Sequence, residues 1–347
     1  MAYLVIGATG CIGRYLVPEL LKSSEEVHVL VRPGAEYAYR FDRRAREWCG
    51  GDRVRPVRGD LAERGLGVDS DWVAAHRGSI DRVINLSAGF DVAESGRGGA
   101  AGHGTRQVID VAERLEAGAL HHISSVRVAG SAAGMFCEDM FDVGQSLSAT
   151  QRAIFEAERA VREECAVPWQ IYRPSIVIGH SRTGEIDRIC GPYYFFRLLR
   201  MAAQLPRILP LVVPKLGETN MVPVDFVARA LDHIVHRPVT PGATFHLVDP
   251  RRQSTAEVLN LFADEAGAPH LLEAMPRPTH EMMHRLPGVG WALSHLGVPR
   301  EVLEDNEFSC WFDNRNTAAA LAGTDIRVPP LVAYAPIIWK YWAENWV

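Results

Sequence analysis

The chain has 347 residues, 47% of them apolar, and 42 acidic side chains against 37 Lys and Arg leave a net charge of −5. This is ample material for a large core and excludes long-range attraction to nucleic acid or an anionic membrane surface. The six cysteines, Cys11, Cys49, Cys137, Cys165, Cys190 and Cys310, contain no C-x-x-C pair, so no metal site is expected and free thiols in a reducing cytoplasm are.

Met1 leads directly into a strand-like run, so a cytoplasmic protein without signal or transit peptide is expected. No apolar run reaches the roughly 20 residues of a membrane span, because Pro206, Pro210 and Pro214 interrupt the most hydrophobic stretch. Residues 4–6 form a short apolar strand that runs into Gly7-Ala8-Thr9-Gly10-Cys11-Ile12-Gly13, after which Ile12, Leu16 and Leu20 recur at helical spacing. A strand, a glycine turn and a helix in that order form a dinucleotide-binding unit. Glycine permits the positive φ and the close approach of backbone to a pyrophosphate, and the helix N-terminus presents N–H groups to it. The second strand, 27–31, ends in Arg32 and not in an acidic residue. A carboxylate there would bind the ribose 2′-OH of NAD(H), whereas a guanidinium suits the 2′-phosphate of NADP(H), which is therefore the expected cofactor.

Further strands are read at 83–86, 122–125 and 170–178, with helical patterns between them, such as Val108, Val111, Ala112 and Leu115. The alternation predicts an α/β fold with a doubly wound parallel sheet, a Rossmann domain over 1–180. Residues 95–104, rich in Gly and Ala, read as a loop. After Gly179 the alternation weakens, and 181–347 reads mainly as a smaller substrate-binding cap. Elements near 220–250 return to the sheet: a helix over 222–230 with Asp225 as N-cap, and a strand over 244–248. The aromatic C-terminus from Tyr334, interrupted by Pro336, reads as part of that cap.

In this spacing, with Gly59-Asp60-Leu61 after the third strand, Asn85-Leu86-Ser87-Ala88 after the fourth, Ser124-Ser125 after the fifth and Arg173-Pro174-Ser175 on the sixth, the chain resembles the extended short-chain dehydrogenase/reductase family. Ser181-Arg182-Thr183-Gly184-Glu185, Gly191-Pro192-Tyr193-Tyr194 and Trp339-Lys340-Tyr341-Trp342 are similar to the branch containing fatty acyl-CoA reductases and thioester reductases. The resemblance implies cofactor contacts from Gly7, Thr9, Gly10, Cys11, Ile12, Gly13, Arg32, Asp60, Leu61, Ser87, Ala88, Pro174 and Ser175. It places Tyr193 and Tyr194 toward a substrate.

Members of that family use a Ser or Thr, a Tyr and a Lys four residues later; the Tyr exchanges a proton with the carbonyl oxygen while the Lys lowers its pKa and holds the nicotinamide ribose. By register with Phe155-Glu156-Ala157-Glu158, the Tyr position holds Thr150 and the Lys position Ile154, and no Tyr-x-x-x-Lys occurs anywhere in the chain. The Asn position holds Ala101, and Ser125 alone is retained. Arg127, on the same side as Ser125 if the strand continues, and His180 are the substitute proton donors, with Thr150 contributing a hydroxyl. The expectation is an NADP(H)-binding enzyme performing cyclisation, isomerisation or elimination on a hydrophobic acyl or polyketide-like substrate, free or carrier-bound. The alternatives are an NADPH-dependent reductase of a thioester or aldehyde and a non-catalytic NADP(H) sensor. A homodimer is left open.

Overall fold

The structure is a computed structural model that describes residues 1–23, 26–48, 50–87, 102–187, 191–275, 308 and 310–346. Seven strands form the central sheet: β1 (Ala2–Ile6), β2 (Glu26–Val31), β3 (Val54–Arg58), β4 (Arg82–Asn85), β5 (Ala119–Ile123), β6 (Trp169–Pro174) and β7 (Thr244–Leu247). Their spatial order is β3-β2-β1-β4-β5-β6-β7, with every pairing parallel. The expected doubly wound Rossmann architecture is therefore the one observed. The order reverses between β1 and β4, and such a switch opens a crevice at the carboxyl ends of the two strands.

The described helices are α1 (Gly13–Leu20), α2 (Ala35–Glu47), α3 (Ser70–His76), α4 (His103–Arg114), α5 (Ala149–Glu164), α6 (Phe196–Ala202), α7 (Val224–Val235), α8 (Thr255–Ala266), α9 (Arg315–Leu321) and α10 (Leu331–Asn345). Strand side chains alternate between the faces of the sheet. Tyr3 and Val5 join Val27, Val29 and Ile84 with Leu16 and Val17 of α1 and Val227 and Leu231 of α7. Leu4 and Ile6 meet Val83 and Leu120 with Val108 and Val111 of α4 and Val161 of α5 on the other face. Each such aliphatic side chain stabilises the fold by about 1.5–3 kcal/mol when fully buried. A third cluster, with Phe196, Phe262, Tyr334, Ile338 and Trp342, joins α6, α8 and α10. The aromatic C-terminus is thus packed within the chain, and α10 continues through Pro336.

Three local expectations change. The fifth strand begins at Ala119 and stops at Ile123; Ser125 then caps a 3-10 turn, Val126–Ala129, so the strand does not carry on to Arg127. The run 170–178 is broken at Ser175, where the backbone changes partner: Ser175 N donates to Leu247 O, but Ile176 N donates to Asn220 O. Ile176–Ile178 consequently pairs with Met221–Pro223 outside the main sheet. Asp225 is not the N-cap of α7, a position held by Pro223. Its carboxylate instead accepts from Ser181 N at 2.8 Å and Ser181 Oγ at 2.7 Å. Most of the loop expected over 95–104 lies outside the described residues. Among the described residues no helix is long and apolar enough to cross a membrane, and Cys11, Cys137, Cys165 and Cys310 form no disulfide with one another.

Candidate dinucleotide cleft

The turn after β1 is shaped by steric exclusion. Gly7 has φ +85°, and a Cβ there would lie 3.2 Å from both Cβ and O of Leu86, at the end of β4. At Gly13 a Cβ would lie 2.5 Å from Ala8 Cα and from Gly7 O, so only glycine lets α1 start this close to β1. Gly10 N donates to Gly7 O at 3.0 Å and Arg14 N to Gly10 O at 3.1 Å, which closes the turn. The first N–H groups of a helix lack intrahelical acceptors, and Ile12 and Gly13, at the start of α1, line a cleft of about 780 Å³. Thr9, Gly10, Cys11 and Leu61 line it as well. A backbone cradle that a Cβ would fill, at a helix N-terminus and a sheet switch point, fits the pyrophosphate of a dinucleotide.

One wall of the cleft is cationic. Arg32, exposed at the end of β2, donates to Tyr37 Oη at 3.1 Å and stacks 4.6 Å above that ring. Arg40, Arg43 and Arg44 of α2 line the same cleft. The sequence reading selected Arg32 and missed these three, although their i, i+3, i+4 spacing puts them on one helix face. It also missed Arg14, 7% exposed, which pairs with Glu185 at 3.0 Å and Asp187 at 3.3 Å across the cleft. Burial works against the Arg14 charge, but Tyr15, Glu185 and Asp187 together raise its pKa above the usual arginine value.

The other expected cofactor residues are differently employed. The Asp60 carboxylate accepts from Ala62 N at 3.0 Å and caps its own turn, while its neighbours Gly59 and Leu61 face the cleft. Ser87 is buried, and its N–H and hydroxyl both donate to Asn85 Oδ1; Leu86 is the residue exposed to the cleft. Pro174 O accepts from Ser125 Oγ at 3.4 Å, and the Ser175 hydroxyl is buried without a hydrogen-bond partner. Ala88 and Ala101 lie outside the described residues.

The expected catalytic end follows from β5, β6 and α5. Ser125 Oγ, half-buried, also accepts from Arg127 N at 3.3 Å, and Arg127 sits in the 3-10 turn. Thr150 is half-buried in the first turn of α5, whose start is fixed by a reciprocal capping box between Ser148 and Gln151. Ile154 is 6% exposed and packs with Val128, Ala129, Phe136, Phe155 and Cys310. One turn further on, the fully buried Glu158 accepts from Arg173 at 2.6 Å, from Arg162 at 2.9 Å and from Ser124 Oγ at 2.6 Å. Burial pushes the Glu158 carboxyl up, but Arg173, Arg162 and the Ser124 hydrogen bond outweigh it and hold the pKa at about 2. Arg173 also donates to His246 Nε2 at 3.1 Å, and His246 Nδ1 donates to Asp313 O at 2.7 Å, which fixes one neutral tautomer.

His180 and the two tyrosines belong to other surroundings. His180 Nδ1 accepts from Arg182 N at 3.1 Å, and its ring lies 5.3 Å from Tyr15 on α1. Tyr193 is 2% exposed; its hydroxyl accepts from Gly179 N at 2.6 Å and its ring packs edge-on against Phe196. Tyr194 beside it is half-buried.

A family model described as Male sterility protein, an NAD-binding domain, matches residues 5–231. The chain belongs to that family. It is an NAD(P)-binding member of the extended short-chain dehydrogenase/reductase kind. It is 26% identical over 286 residues to a non-canonical nonribosomal peptide synthetase, FrzA, of a Cladobotryum species, covering 75% of this chain and 27% of that protein. It is also 26% identical over 279 residues to the aldehyde reductase lnaA of Aspergillus flavus, covering 73% of this chain and 26% of that one. The chain thus spans about a quarter of the length of these curated relatives. Among solved structures, the terminal R domain of the myxalamid PKS-NRPS biosynthetic pathway shares its fold with a TM-score of 0.77 and 24% identity, over 100% of this chain and 91% of that one.

Proposed function

We propose that this chain binds NADP(H) across the carboxyl ends of β1, β2 and β4. It then converts a hydrophobic acyl or polyketide-like substrate, free or carrier-bound, by cyclisation, isomerisation or elimination without the Tyr/Lys proton relay. The packing of Ile154 carries the reading: where the relay needs an ammonium, this chain has a buried aliphatic side chain among apolar neighbours, while the phosphate end of the cleft is fully built. Arg32, with Arg40, Arg43 and Arg44 on the same wall, supports NADP(H) over NAD(H), because a 2′-phosphate gains charge-assisted hydrogen bonds there. Ser125 is the group offered to the substrate. Its hydroxyl makes a long 3.4 Å bond to Pro174 O, which it can exchange for a developing oxyanion at little cost.

The second reading is reduction of a thioester or aldehyde, favoured by the relative named as an aldehyde reductase and by the retained Ser125. Bound NADPH would supply a hydride; Ser125, with water or Arg127, would stabilise the oxyanion, and a proton from water would go to the alkoxide of an aldehyde substrate or to the thiolate released from a thioester. The deciding experiment incubates the purified chain with NADPH or NADH and panels of acyl thioesters and aldehydes, following nicotinamide absorbance and product mass together. Product without nicotinamide oxidation is expected. Stoichiometric oxidation establishes the reductase instead, and cofactor binding without any conversion leaves a sensing role. NADPH should bind more tightly than NADH, and equal affinities overturn the NADP(H) assignment. Ser125→Ala should slow turnover roughly tenfold with cofactor affinity unchanged; unaltered turnover removes Ser125 from the mechanism.

A further inference from the structure

Glu185, Ile186 and Asp187, at the end of the segment 181–187, line the same cleft as the glycine turn, and both carboxylates engage arginines there. Glu185 is held twice, by Arg14 at 3.0 Å and by the Tyr15 hydroxyl at 2.8 Å. Burial and the hydrogen bond to Glu185 raise the Tyr15 pKa against the opposing charge of Arg14, so the phenol stays a donor. Asp187 is held loosely, 3.3 Å from Arg14 and 3.9 Å from Arg44. At its other end the segment is anchored through Ser181 to Asp225. It is also seated on α10: a Cβ at Gly184 would come within 2.4 Å of Ile337 O and 2.8 Å of Tyr341 Cβ.

Arg14, Arg44, Glu185 and Asp187 all line the cleft whose floor is the glycine turn. Arg14 is 7% exposed, yet its Nε has no hydrogen-bond partner. A guanidinium presents its donors in a planar fork that matches phosphate oxygens two at a time. A buried arginine in the first turn of α1, sharing Asp187 with a second arginine, is therefore set for an anion with more than one oxygen to offer. Asp187 supplies that charge at contacts too long to satisfy either partner well.

We propose that Asp187 is an internal counter-anion for Arg14 and Arg44 that a cofactor phosphate replaces, so that segment 181–187 links occupation of the cleft to its seat on α10. The inference rests on the reading above that the cleft takes NADP(H). Glu185, with two donors, stays in place and orients Arg14, whereas Asp187 yields. Competition from a resident carboxylate lowers affinity, and its removal restores the full positive charge to the entering phosphate.

The test is a fluorescence titration of NADPH into the full chain and into Asp187→Asn and Asp187→Glu, at several salt concentrations, with thermal melts confirming that each variant is folded. Asp187→Asn should bind NADPH about five-fold more tightly at low salt, the scale of a partly exposed ion pair. The gain should shrink as ionic strength rises. Asp187→Glu should keep the parent affinity because it keeps the charge. Amide hydrogen exchange over 181–187 should change when NADPH is added to the parent chain. Unchanged or weaker binding by Asp187→Asn, or a gain that salt does not reduce, overturns the proposal. If the parent chain itself fails to bind NADPH, the cofactor reading falls, an outcome distinct from a parent that binds and variants that match it.

Discussion

At the glycine turn the shape of the cleft is made by backbone, whereas at the start of α5 the chemistry of the family would be made by two side chains. Gly7, Gly10 and Gly13 are placed by contacts with Leu86, Ala8 and one another, and a side chain at Gly7 or Gly13 is opposed by backbone strain or by direct clash with the turn. Thr150 and Ile154 sit on a helix whose capping box, apolar face and Glu158 network are intact without a Tyr or a Lys. If the cleft takes the cofactor as proposed, its phosphate end is tied to the fold, and the start of α5 can change its chemistry while the fold stands. On the proposed reading, binding a dinucleotide and using it are separable properties of this chain.

The largest expected effect tests whether the scaffold at the hydride end is as firmly built as the glycine turn. Glu158→Ala would leave Arg173, fully buried, without its carboxylate partner and facing His246, the Phe136 ring and nearby Arg162. Removing one partner of a buried ion pair costs about 3–5 kcal/mol, and the Tm should fall accordingly. A Tm unchanged within error would mean that the strand ends bearing Ser125 and Pro174 are held by something else.

Next in size is Ile154→Lys, which puts a lysine where the proposed register expects one, at a position packed against Val128, Phe136 and Phe155. An ammonium there has no acceptor on the apolar side, so a loss of about 2–3 kcal/mol is expected, with no gain in NADPH affinity. An unchanged melt together with tighter NADPH binding would show that the position opens to the cleft, and the contrast between the two ends would collapse. Gly13→Ala comes third. Its Cβ meets only backbone atoms at 2.5–2.6 Å, an overpacking that costs about 1–3 kcal/mol. Because the helix start must shift, NADPH affinity should fall roughly ten- to a hundred-fold. Retained affinity would show that the turn does not position the cofactor.

What the sequence discloses follows the same division. The strand-turn-helix signal at residues 4–20 is local and periodic, so the sheet, its parallel order and the glycine turn were legible. Arg40, Arg43 and Arg44 were legible in principle, since their spacing marks one helix face. The pairing of Arg14 with Glu185 and Asp187 was not, because it joins residues more than 170 positions apart through the way α10 seats the loop. Nor was the change of partner at Ser175, because the strand pattern of Ile176–Ile178 does not say which neighbour it pairs with. The diversion of Asp225 from N-cap to Ser181 is of the same kind: the local rule named a role that a tertiary contact had taken.

The last test concerns acid. His121, His122 and His246 are buried and uncharged, burial holding their pKa values at about 3, 4 and 3. In the unfolded chain each takes up a proton near pH 6.5. A folded pKa below the unfolded one gives stability that is complete above about pH 6.5 and is lost as pH falls toward the folded values. Each histidine therefore contributes a slope approaching 1.4 kcal/mol per pH unit, on the order of one proton, below that point. Glu158, at about 2, adds its own loss only below about pH 4.3, the ordinary glutamate value. Denaturant midpoints should accordingly stay level from pH 8 to 7 and fall steeply from pH 6 to 4.5. Saturating NADPH, if it binds where the backbone makes the site, adds a stabilisation set by its concentration over its Kd. It should raise the curve without changing its slope in this window. A slope that changes with cofactor would tie the buried histidines to the cleft, and the two ends would then be coupled through the sheet.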